Sequence, residues 1–286
     1  MIAKVIYGKK YADEILYNIK SFVDIKINSG FRVPGLAIIS IGNDYSSSIY
    51  VNNKIKACNF VGFFSKFYKF DNNVAENTIL LLLNYLNLAP HIDGIIIQLP
   101  IPKCFDFIKL FSSINPIKDV DLLNPVSFGN YVLGYNKYNL PCTPASILYL
   151  LNKIDIDLSG LTAVLIGTSN IVGKPLIFEL LSYNINIIVL AEDSKYFFEY
   201  LKLADIVIVA VGKINLIYGN YLKKNSIIID VGINRLSEKK IIGDVHFNSA
   251  FKVCSFITPV PGGVGPLTVA KLLENVLRLY NLNFMK

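Results

Sequence analysis

The stretch from Thr162 to Pro175 constrains the fold more than any other part of the sequence. Ala163–Ile166 is a short apolar run rich in β-branched residues, which is typical of a buried strand. Gly167 then permits a tight turn, and Gly173 opens a segment with helical spacing. A strand that enters a helix this way directs free backbone N–H groups and the positive helix end at one place, which suits a pyrophosphate. The spacing Gly-x-Ser-x-x-x-Gly is not the usual Gly-x-Gly-x-x-Gly, so the motif alone leaves a nucleotide site and an ordinary β–α turn equally open.

Strand and helix patterns alternate through both halves of the chain and predict an α/β protein of two domains. In the first half, the predicted strands are Leu36–Ile41, Lys66–Phe70 and Gly94–Leu99, and the helices are Tyr11–Ile27, Tyr45–Val61 and Val74–Leu86. In the second half, the predicted strands are Ala163–Ile166, Asn186–Leu190, Asp205–Val211 and Ser226–Val231, with helices between them.

The domain boundaries follow from these patterns. We assign residues 1–143 to an N-terminal α/β domain and residues 144–267 to a Rossmann-like nucleotide-binding domain. The C-terminal helix, residues 268–286, is expected to pack back on the first domain. Residues 115–143 are rich in Asn, Pro, Gly and Tyr and predict a long loop, of the kind that is usually functional.

Composition narrows the possible classes of protein. The chain has 286 residues, of which 53% are hydrophobic and 17% charged, as in a globular protein with a sizeable core. Its net charge of +7 comes from lysines scattered singly or in pairs, which favours a basic surface over an RNA-binding face. No apolar run reaches the roughly 18 residues of a membrane span, and the first residues do not resemble a signal peptide.

The cysteines point to a reducing compartment. Cys58, Cys104, Cys142 and Cys254 are far apart and form no C-x-x-C pair, which indicates neither a disulfide framework nor a zinc site. We therefore predict a cytoplasmic protein without a bound metal.

Several polar residues stand at positions where open α/β sheets bind ligands. Tyr50 and Lys54 are four residues apart and project from one face of a predicted helix, although such a pair is more often solvated. Gln98 lies in an apolar strand, where its amide either bonds to backbone or faces a cleft. Asp119 and Asp121 in the predicted loop could bind metal, cap a helix or hold a ligand. Both histidines are isolated, and we predict neither to be catalytic.

Seven motifs together resemble one family, the bifunctional methylenetetrahydrofolate dehydrogenase/methenyltetrahydrofolate cyclohydrolases. They are Ser47–Lys54, Gln98–Pro102, Lys118–Asp121, Pro141–Pro144, Gly167–Pro175, Asp230–Arg235 and Thr258–Ala270. The resemblance covers essentially the whole chain, in order and at family spacing, and its Thr258–Ala270 stretch is very specific.

The resemblance implies a folate cleft between a catalytic domain and a nucleotide-binding domain. The catalytic residues that it implies are Lys54 as the central group, Gln98 to position it, Tyr50 against the aminobenzoyl part of the folate, and Asp121 on the pterin. The substrate-binding residues that it implies are Tyr50, Gln98, Leu99, Asp121, Pro259, Gly262 and Gly263. The cofactor-binding residues that it implies are Gly167, Thr168, Ser169, Gly173, Lys174, Ser194, Ile233 and Thr268. It implies NADP and tetrahydrofolate as ligands, and a homodimer.

The sequence departs from the family pattern at two places. Leu122 stands where relatives commonly have Gly, a residue that serves unusual backbone angles. After the strand Asn186–Leu190 the chain has Glu192 and Asp193, where many NADP-using relatives carry a basic residue, and an acidic residue there suits the ribose of NAD. Against this, Lys174 could reach a phosphate. We favour NADP on the resemblance and leave NAD open.

The expected activity is oxidation of 5,10-methylenetetrahydrofolate followed by hydrolysis of the methenyl product to 10-formyltetrahydrofolate, a step that serves one-carbon metabolism and purine biosynthesis. A monofunctional or NAD-dependent dehydrogenase is the main alternative. An unrelated Rossmann oxidoreductase would leave Lys54 and Gln98 unexplained, and a non-catalytic RNA-binding or scaffold protein would require a clustered basic face.

Overall fold

The computed structural model describes residues 3–135, 139–237 and 240–284. The chain divides into two compact units. The first unit consists of Asp13–Cys142 with Val269–Lys286, and the second of Met1–Ala12 with Thr143–Thr268. The sequence analysis assigned the first twelve residues to the N-terminal domain. In the structure they cluster with the second unit, because the short strand β1 (Lys4–Val5) pairs there with β11 (Phe256–Ile257).

The first unit is built on a three-stranded parallel sheet in the order β3-β2-β4. Its strands are β2 (Gly35–Ile41), β3 (Phe64–Phe70) and β4 (Gly94–Gln98). Every residue of β2 is buried, as expected for the central strand of a sheet covered on both faces. Both ladders are parallel, so the carboxyl ends of the three strands lie on one edge of the sheet, where ligands of such sheets bind.

The second unit contains a six-stranded parallel sheet in the order β1-β11-β8-β7-β5-β6. Its remaining strands are β5 (Thr162–Ile166), β6 (Asn186–Leu190), β7 (Ile206–Val209) and β8 (Ile227–Asp230). The chain leaves β5 for β6 on one side and returns to β7 on the other. Such a reversal is the topological switch point at which Rossmann-type sheets bind nucleotides. A small antiparallel pair, β9 (Asn234–Arg235) and β10 (Ile241–Ile242), follows β8.

The longer helices connect and flank these strands. They are α1 (Gly8–Asn28), α2 (Tyr45–Val61), α3 (Glu76–Leu88), α6 (Cys142–Leu151), α7 (Gly173–Ser182) and α10 (Val264–Phe284). Shorter ones are α4 (Phe107–Ser112), α5 (Pro125–Val132), α8 (Phe197–Leu203), α9 (Phe247–Ala250) and the 3₁₀ turns Pro116–Lys118 and Gly219–Tyr221. In the described ranges, none of the helices has both the length and the apolar character needed to cross a membrane.

The prediction of an unstructured loop over residues 115–143 was wrong for much of its length. It contains a 3₁₀ turn and all of α5, and α6 begins at Cys142. The cause is local capping chemistry: the Asn124 side chain accepts hydrogen bonds from the N–H groups of Val126 and Ser127, and Pro125 occupies the first helical turn. Residues 136–138 of the predicted loop, like residues 285 and 286 of the predicted last helix, lie outside the described residues.

Candidate active site

Two adjacent elements of the first unit bring Lys54 and Gln98 together. Lys54 lies on α2, which is fixed at its start by Asp44, whose carboxylate accepts the Ser47 N–H at 2.7 Å. Gln98 is the last residue of β4, at the ligand-binding edge of the sheet. The Lys54 Nζ donates to the Gln98 Oε1 at 2.7 Å. The Gln98 Nε2 in turn donates to the Leu99 carbonyl at 2.7 Å, so the amide is held with its oxygen toward the lysine.

The surroundings of Lys54 favour its neutral form. Desolvation by burial lowers the pKa of the Lys54 ammonium below its ordinary value. The charge of Asp121 acts in the opposite direction and raises the pKa in part. A lysine with a lowered pKa exchanges a proton more readily at neutral pH than a solvated one, so this residue suits general acid–base chemistry.

Asp121 is the carboxylate of this site. It accepts a weak hydrogen bond from the Cys142 N–H at 3.4 Å, and its charge acts on Lys54. Burial raises the pKa of the Cys142 thiol well above its ordinary value, so this thiol stays neutral and serves as packing. Tyr50 is partly buried on α2, one helical turn before Lys54.

The first aspartate of the Lys-Asp-Val-Asp motif has a structural role. Asp119 is buried and accepts the N–H groups of Leu123 at 3.4 Å and Asn124 at 2.9 Å. Burial raises the pKa of Asp119 to about 6, against the effect of these hydrogen bonds. In the part of the chain that the structure describes, no group of three or more His, Cys, Asp or Glu side chains is placed to hold a metal ion.

Leu122, next to Asp121, has a backbone conformation that favours glycine. Its φ is +55°, in the left-handed region, and its side chain is buried. An L-residue with a side chain adopts this conformation at a cost of about 1–2 kcal/mol. The chain therefore keeps the turn after Asp121 without a glycine.

In the second unit, the turn after β5 brings backbone unusually close to backbone. Gly167 is buried with φ +112°, and a Cβ at Gly173 would overlap the Gly167 carbonyl. The turn therefore requires glycine at the start of α7 and exposes Thr168 and Ser169 at the switch point of the sheet. The Ser169 hydroxyl accepts the N–H of Val172 at 3.2 Å. This is a shape that a phosphate can approach.

The other cofactor-binding residues implied by the resemblance also lie in this unit. Lys174 is exposed, and its Nζ donates to the Asn170 side chain at 2.7 Å. The Ser194 N–H donates to the Ala191 carbonyl and closes the turn after β6. Ile233 is exposed between β8 and β9, and the Thr268 hydroxyl donates to the Gly265 carbonyl at 2.7 Å.

The loop with Pro259, Gly262 and Gly263 is also part of the second unit. The Gly262 carbonyl accepts the Lys9 N–H at 3.1 Å, and Gly262 has φ +103°. A Cβ at Gly263 would overlap the Pro259 carbonyl, so the loop folds tightly on itself. The predicted site residues thus form two groups, with Tyr50, Lys54, Gln98, Leu99 and Asp121 in the first unit and all the others in the second.

Two buried aspartates at the carboxyl edge of the second sheet were given no role in the sequence analysis. Asp244 accepts the N–H groups of Val211 and Gly212, each at 2.9 Å, and the Asn234 amide at 2.7 Å. Asp230, at the end of β8, accepts the N–H groups of Gly232, Asp244 and Val245, and desolvation raises its pKa to about 7.

These two carboxylates fix the backbone that follows β7 and β8, where a nucleotide would bind. The sequence signal that could have found them is an acidic residue within two positions of a glycine at each site. Asp230 precedes Val231-Gly232, and Asp244 follows Gly243.

Together these features define a class of protein: an α/β enzyme with a lysine, an amide and a carboxylate in one unit and a Rossmann-type nucleotide-binding turn in the other. Residues 6–121 match the family model of the tetrahydrofolate dehydrogenase/cyclohydrolase catalytic domain. Residues 141–284 match the model of the NAD(P)-binding domain of the same enzymes. The chain belongs to the tetrahydrofolate dehydrogenase/cyclohydrolase family, as its motifs predicted.

Solved structures agree with this assignment. The bifunctional methylenetetrahydrofolate dehydrogenase/cyclohydrolase of Campylobacter jejuni is 40% identical, with a TM-score of 0.93 over 98% of this chain and 99% of its own. The dehydrogenase-cyclohydrolase of Trypanosoma brucei, solved with NADP and an inhibitor, is 30% identical, with a TM-score of 0.96 and full coverage of both chains. The bifunctional enzyme of Thermoplasma acidophilum is 31% identical, with a TM-score of 0.89 over 99% of this chain and all of its own.

Proposed function

We propose that this protein oxidises 5,10-methylenetetrahydrofolate to the 5,10-methenyl form with NADP and hydrolyses that product to 10-formyltetrahydrofolate. The observation that carries the proposal is the bond between the Lys54 Nζ and the Gln98 Oε1 at 2.7 Å, with the pKa of the lysine lowered by burial. The family membership of the whole chain supports it.

The lysine fits both steps of this reaction. Loss of a hydride from the methylene carbon leaves a cationic methenyl bridge, and a neutral amine beside it avoids the repulsion that an ammonium would cause. In the hydrolytic step, water attacks this carbon and must lose a proton, which a neutral Lys54 can accept. Gln98 fixes the position of the amine through its own bond to Leu99, so the lysine is oriented before substrate binds.

The neighbouring residues would hold the folate. The pterin edge offers N–H donors, and the Asp121 carboxylate would accept them as charge-assisted hydrogen bonds. Tyr50, one turn from Lys54, would pack against the aminobenzoyl ring, and Leu99 would line the same edge. The resemblance also assigns Pro259, Gly262 and Gly263 of the second unit to the folate, in a loop so tight that a Cβ is not tolerated at Gly263.

The second unit fits a dinucleotide. The close approach of Gly173 to Gly167 leaves no room for a Cβ and exposes backbone beside Thr168 and Ser169, which would bind the pyrophosphate. Lys174, Ser194, Ile233 and Thr268 would border the rest of the nucleotide. NADP, when bound, supplies the hydride acceptor, and its presence in the relative from Trypanosoma brucei supports the choice over NAD. We further propose a cytoplasmic homodimer, as the resemblance implies, and size-exclusion chromatography with light scattering would test the oligomeric state.

A spectrophotometric assay tests the proposal. Purified protein is given 5,10-methylenetetrahydrofolate with NADP or NAD, and reduced cofactor and methenyl product are followed at separate wavelengths. We expect reduced NADP to form and the methenyl product to decay faster than without enzyme. Reduced cofactor with a stable methenyl product would leave a monofunctional dehydrogenase, and turnover with NAD alone would overturn the cofactor assignment. Folded protein that turns over neither nucleotide would refute the dehydrogenase function.

A further inference from the structure

An ion pair joins two segments at the carboxyl edge of the second unit's sheet. Glu192 lies two residues after the end of β6, and Lys213 follows the end of β7. The Glu192 Oε2 and the Lys213 Nζ are 2.8 Å apart. Because β5 lies between β6 and β7, the pair bridges the two segments on either side of the nucleotide-binding turn.

The position of Glu192 creates a conflict with the proposed cofactor. In Rossmann-type sheets, an acidic residue shortly after the second strand accepts hydrogen bonds from the ribose hydroxyls of NAD. The same carboxylate would repel the 2′-phosphate of NADP. The turn Ala191–Lys195 carries two carboxylates, Glu192 and Asp193, and one ammonium, Lys195, so by itself it has a net charge of −1.

We infer that Lys213 neutralises Glu192 and thereby sets the preference of this chain for a nucleotide that carries a 2′-phosphate. The inference rests on the proposed function, because it concerns the same nucleotide site. With Lys213 included, the two carboxylates of this edge are balanced by two ammonium groups, so its net charge no longer repels an anion. Lys213, which follows β7, thus supplies the positive charge that a basic residue after β6 would otherwise supply.

The backbone before Lys213 is held in place, which fixes the point from which the Lys213 side chain leaves this edge. The N–H groups of Val211 and Gly212 both donate to the buried Asp244 carboxylate at 2.9 Å. Lys213 therefore leaves a segment anchored to the core, and its ammonium reaches Glu192 from a defined position.

The pair remains accessible to a ligand. The Lys213 side chain is 55% exposed and the Glu192 side chain 42% exposed. Exposed pairs of this kind interact weakly and are screened by salt, so we expect effects of several-fold on affinity, largest at low ionic strength.

Calorimetric titration of the full-length protein with NADP and with NAD, without folate, tests the inference. In Lys213→Met, we expect the Kd for NADP to rise about three- to tenfold, while the Kd for NAD changes less than about twofold. Glu192→Gln should leave the Kd for NADP unchanged or lower it. The double variant should recover the affinity that Lys213→Met loses, because no carboxylate then needs neutralising.

A second ion pair of the same unit provides a matched control. Lys223 is also exposed, and its Nζ lies 2.6 Å from the carboxylate of the half-buried Asp205, but the two residues precede β8 and β7 and so lie at the amino edge of the sheet. Lys223→Met removes the same charge and should leave both nucleotide affinities unchanged.

The outcomes separate this inference from the proposed function. Binding of neither nucleotide by the wild-type protein would refute the proposed function itself. If both bind, equal effects of Lys213→Met on NADP and NAD, or no effect on either, would overturn the inference. A loss of NADP affinity that persists undiminished in the double variant would mean that Lys213 contacts the phosphate directly, which also overturns it. The inference would also be overturned if the wild-type protein bound NAD more tightly than NADP.

Discussion

The two units of this protein prepare their sites by different means. In the first unit, the site depends on side-chain chemistry: a desolvated lysine, a fixed amide and a carboxylate whose charge acts on the lysine. In the second unit, it depends on backbone shape, since Gly167 and Gly173 approach too closely for a Cβ. The difference teaches that the lysine site should be sensitive to charge, whereas the Gly167–Gly173 turn should be sensitive to volume. Four predictions test this contrast, ordered by the size of the expected effect on catalysis.

The largest effect should come from Lys54→Met. It removes the only amine bonded to Gln98 in the described structure, and loss of a general acid–base group lowers a rate by about 10²–10⁴-fold. We expect the hydrolysis of methenyltetrahydrofolate to fall by this factor while the Kd for NADP is unchanged. Lys56→Met, on the exposed side of the same helix, is the control. Retention of hydrolysis in Lys54→Met would contradict the proposed role.

A new charge beside the lysine should move the pH dependence. Gln98→Glu places a carboxylate where the amide oxygen now lies, 2.7 Å from the Lys54 Nζ, and an adjacent opposite charge raises the pKa of an amine by about 1–3 units. Hydrolysis requires the neutral amine and therefore rises with pH. The rising limb should move to higher pH by that amount, which lowers the rate at a given pH on that limb by about 10- to 10³-fold.

The profile of the hydrolytic rate against pH checks this prediction. Gln98→Met serves as the control, because it removes the hydrogen bond without adding a charge. A profile that stays in place or moves to lower pH in Gln98→Glu would show that the protonation of Lys54 does not govern the rate.

A single methyl group should damage the second unit's site. In Gly173→Ala, the new Cβ meets the Gly167 carbonyl, so the turn must open at a cost of about 1–3 kcal/mol. We expect the Kd for NADP to rise about tenfold or more, with the pH profile of hydrolysis unchanged. Gly129→Ala, in α5 with open space around it, should instead stabilise the protein by about 0.5–1 kcal/mol. An unaltered NADP affinity in Gly173→Ala would contradict the claim that this turn is sensitive to added volume.

The smallest effect on catalysis should come from Asp119→Asn, although this carboxylate lies two residues from Asp121. The pKa of Asp119 is about 6 in the folded protein against an ordinary 3.8, so the folded state binds more protons than the unfolded state between these values. The free energy of unfolding should therefore fall as pH rises from about 4 to 6, by up to about 3 kcal/mol. Urea denaturation of the wild-type protein and of Asp119→Asn across this pH range checks the prediction. The fall in the free energy of unfolding should be absent in the variant. An identical pH dependence in both would contradict it.

The sequence predicted the elements that are long and strongly patterned. The central strands of both sheets are continuous apolar runs, and α2 has the predicted bounds because Asp44 and Gly62 cap it. The two-residue strands β1 and β9–β11 are too short to show any period, and the helix α5 is specified by the Asn124 cap rather than by an apolar pattern.

The sites were predictable to different degrees. The roles of Lys54 and Gln98 came from the family resemblance, because their 44-residue separation says nothing of their contact. The pair of Glu192 and Lys213 could not be foreseen, since it depends on how two separate turns meet at the edge of the sheet. The anchoring of Val211 and Gly212 by Asp244 depends in the same way on the folded backbone.

Leu122 has a consequence for how this family can vary in sequence. Its left-handed backbone favours glycine, but its buried side chain fills space in the core. Removing a buried leucine side chain costs about 2–5 kcal/mol, more than the 1–2 kcal/mol that relaxing the backbone returns. Replacing Leu122 by glycine alone should therefore lower the stability of the protein. The loss should be smaller if a neighbouring residue has first been replaced by a larger one that fills the space. We therefore expect an exchange between leucine and glycine at position 122 to be accompanied by changes in the size of the residues packed around it. The leucine and glycine forms would then differ by more than one substitution.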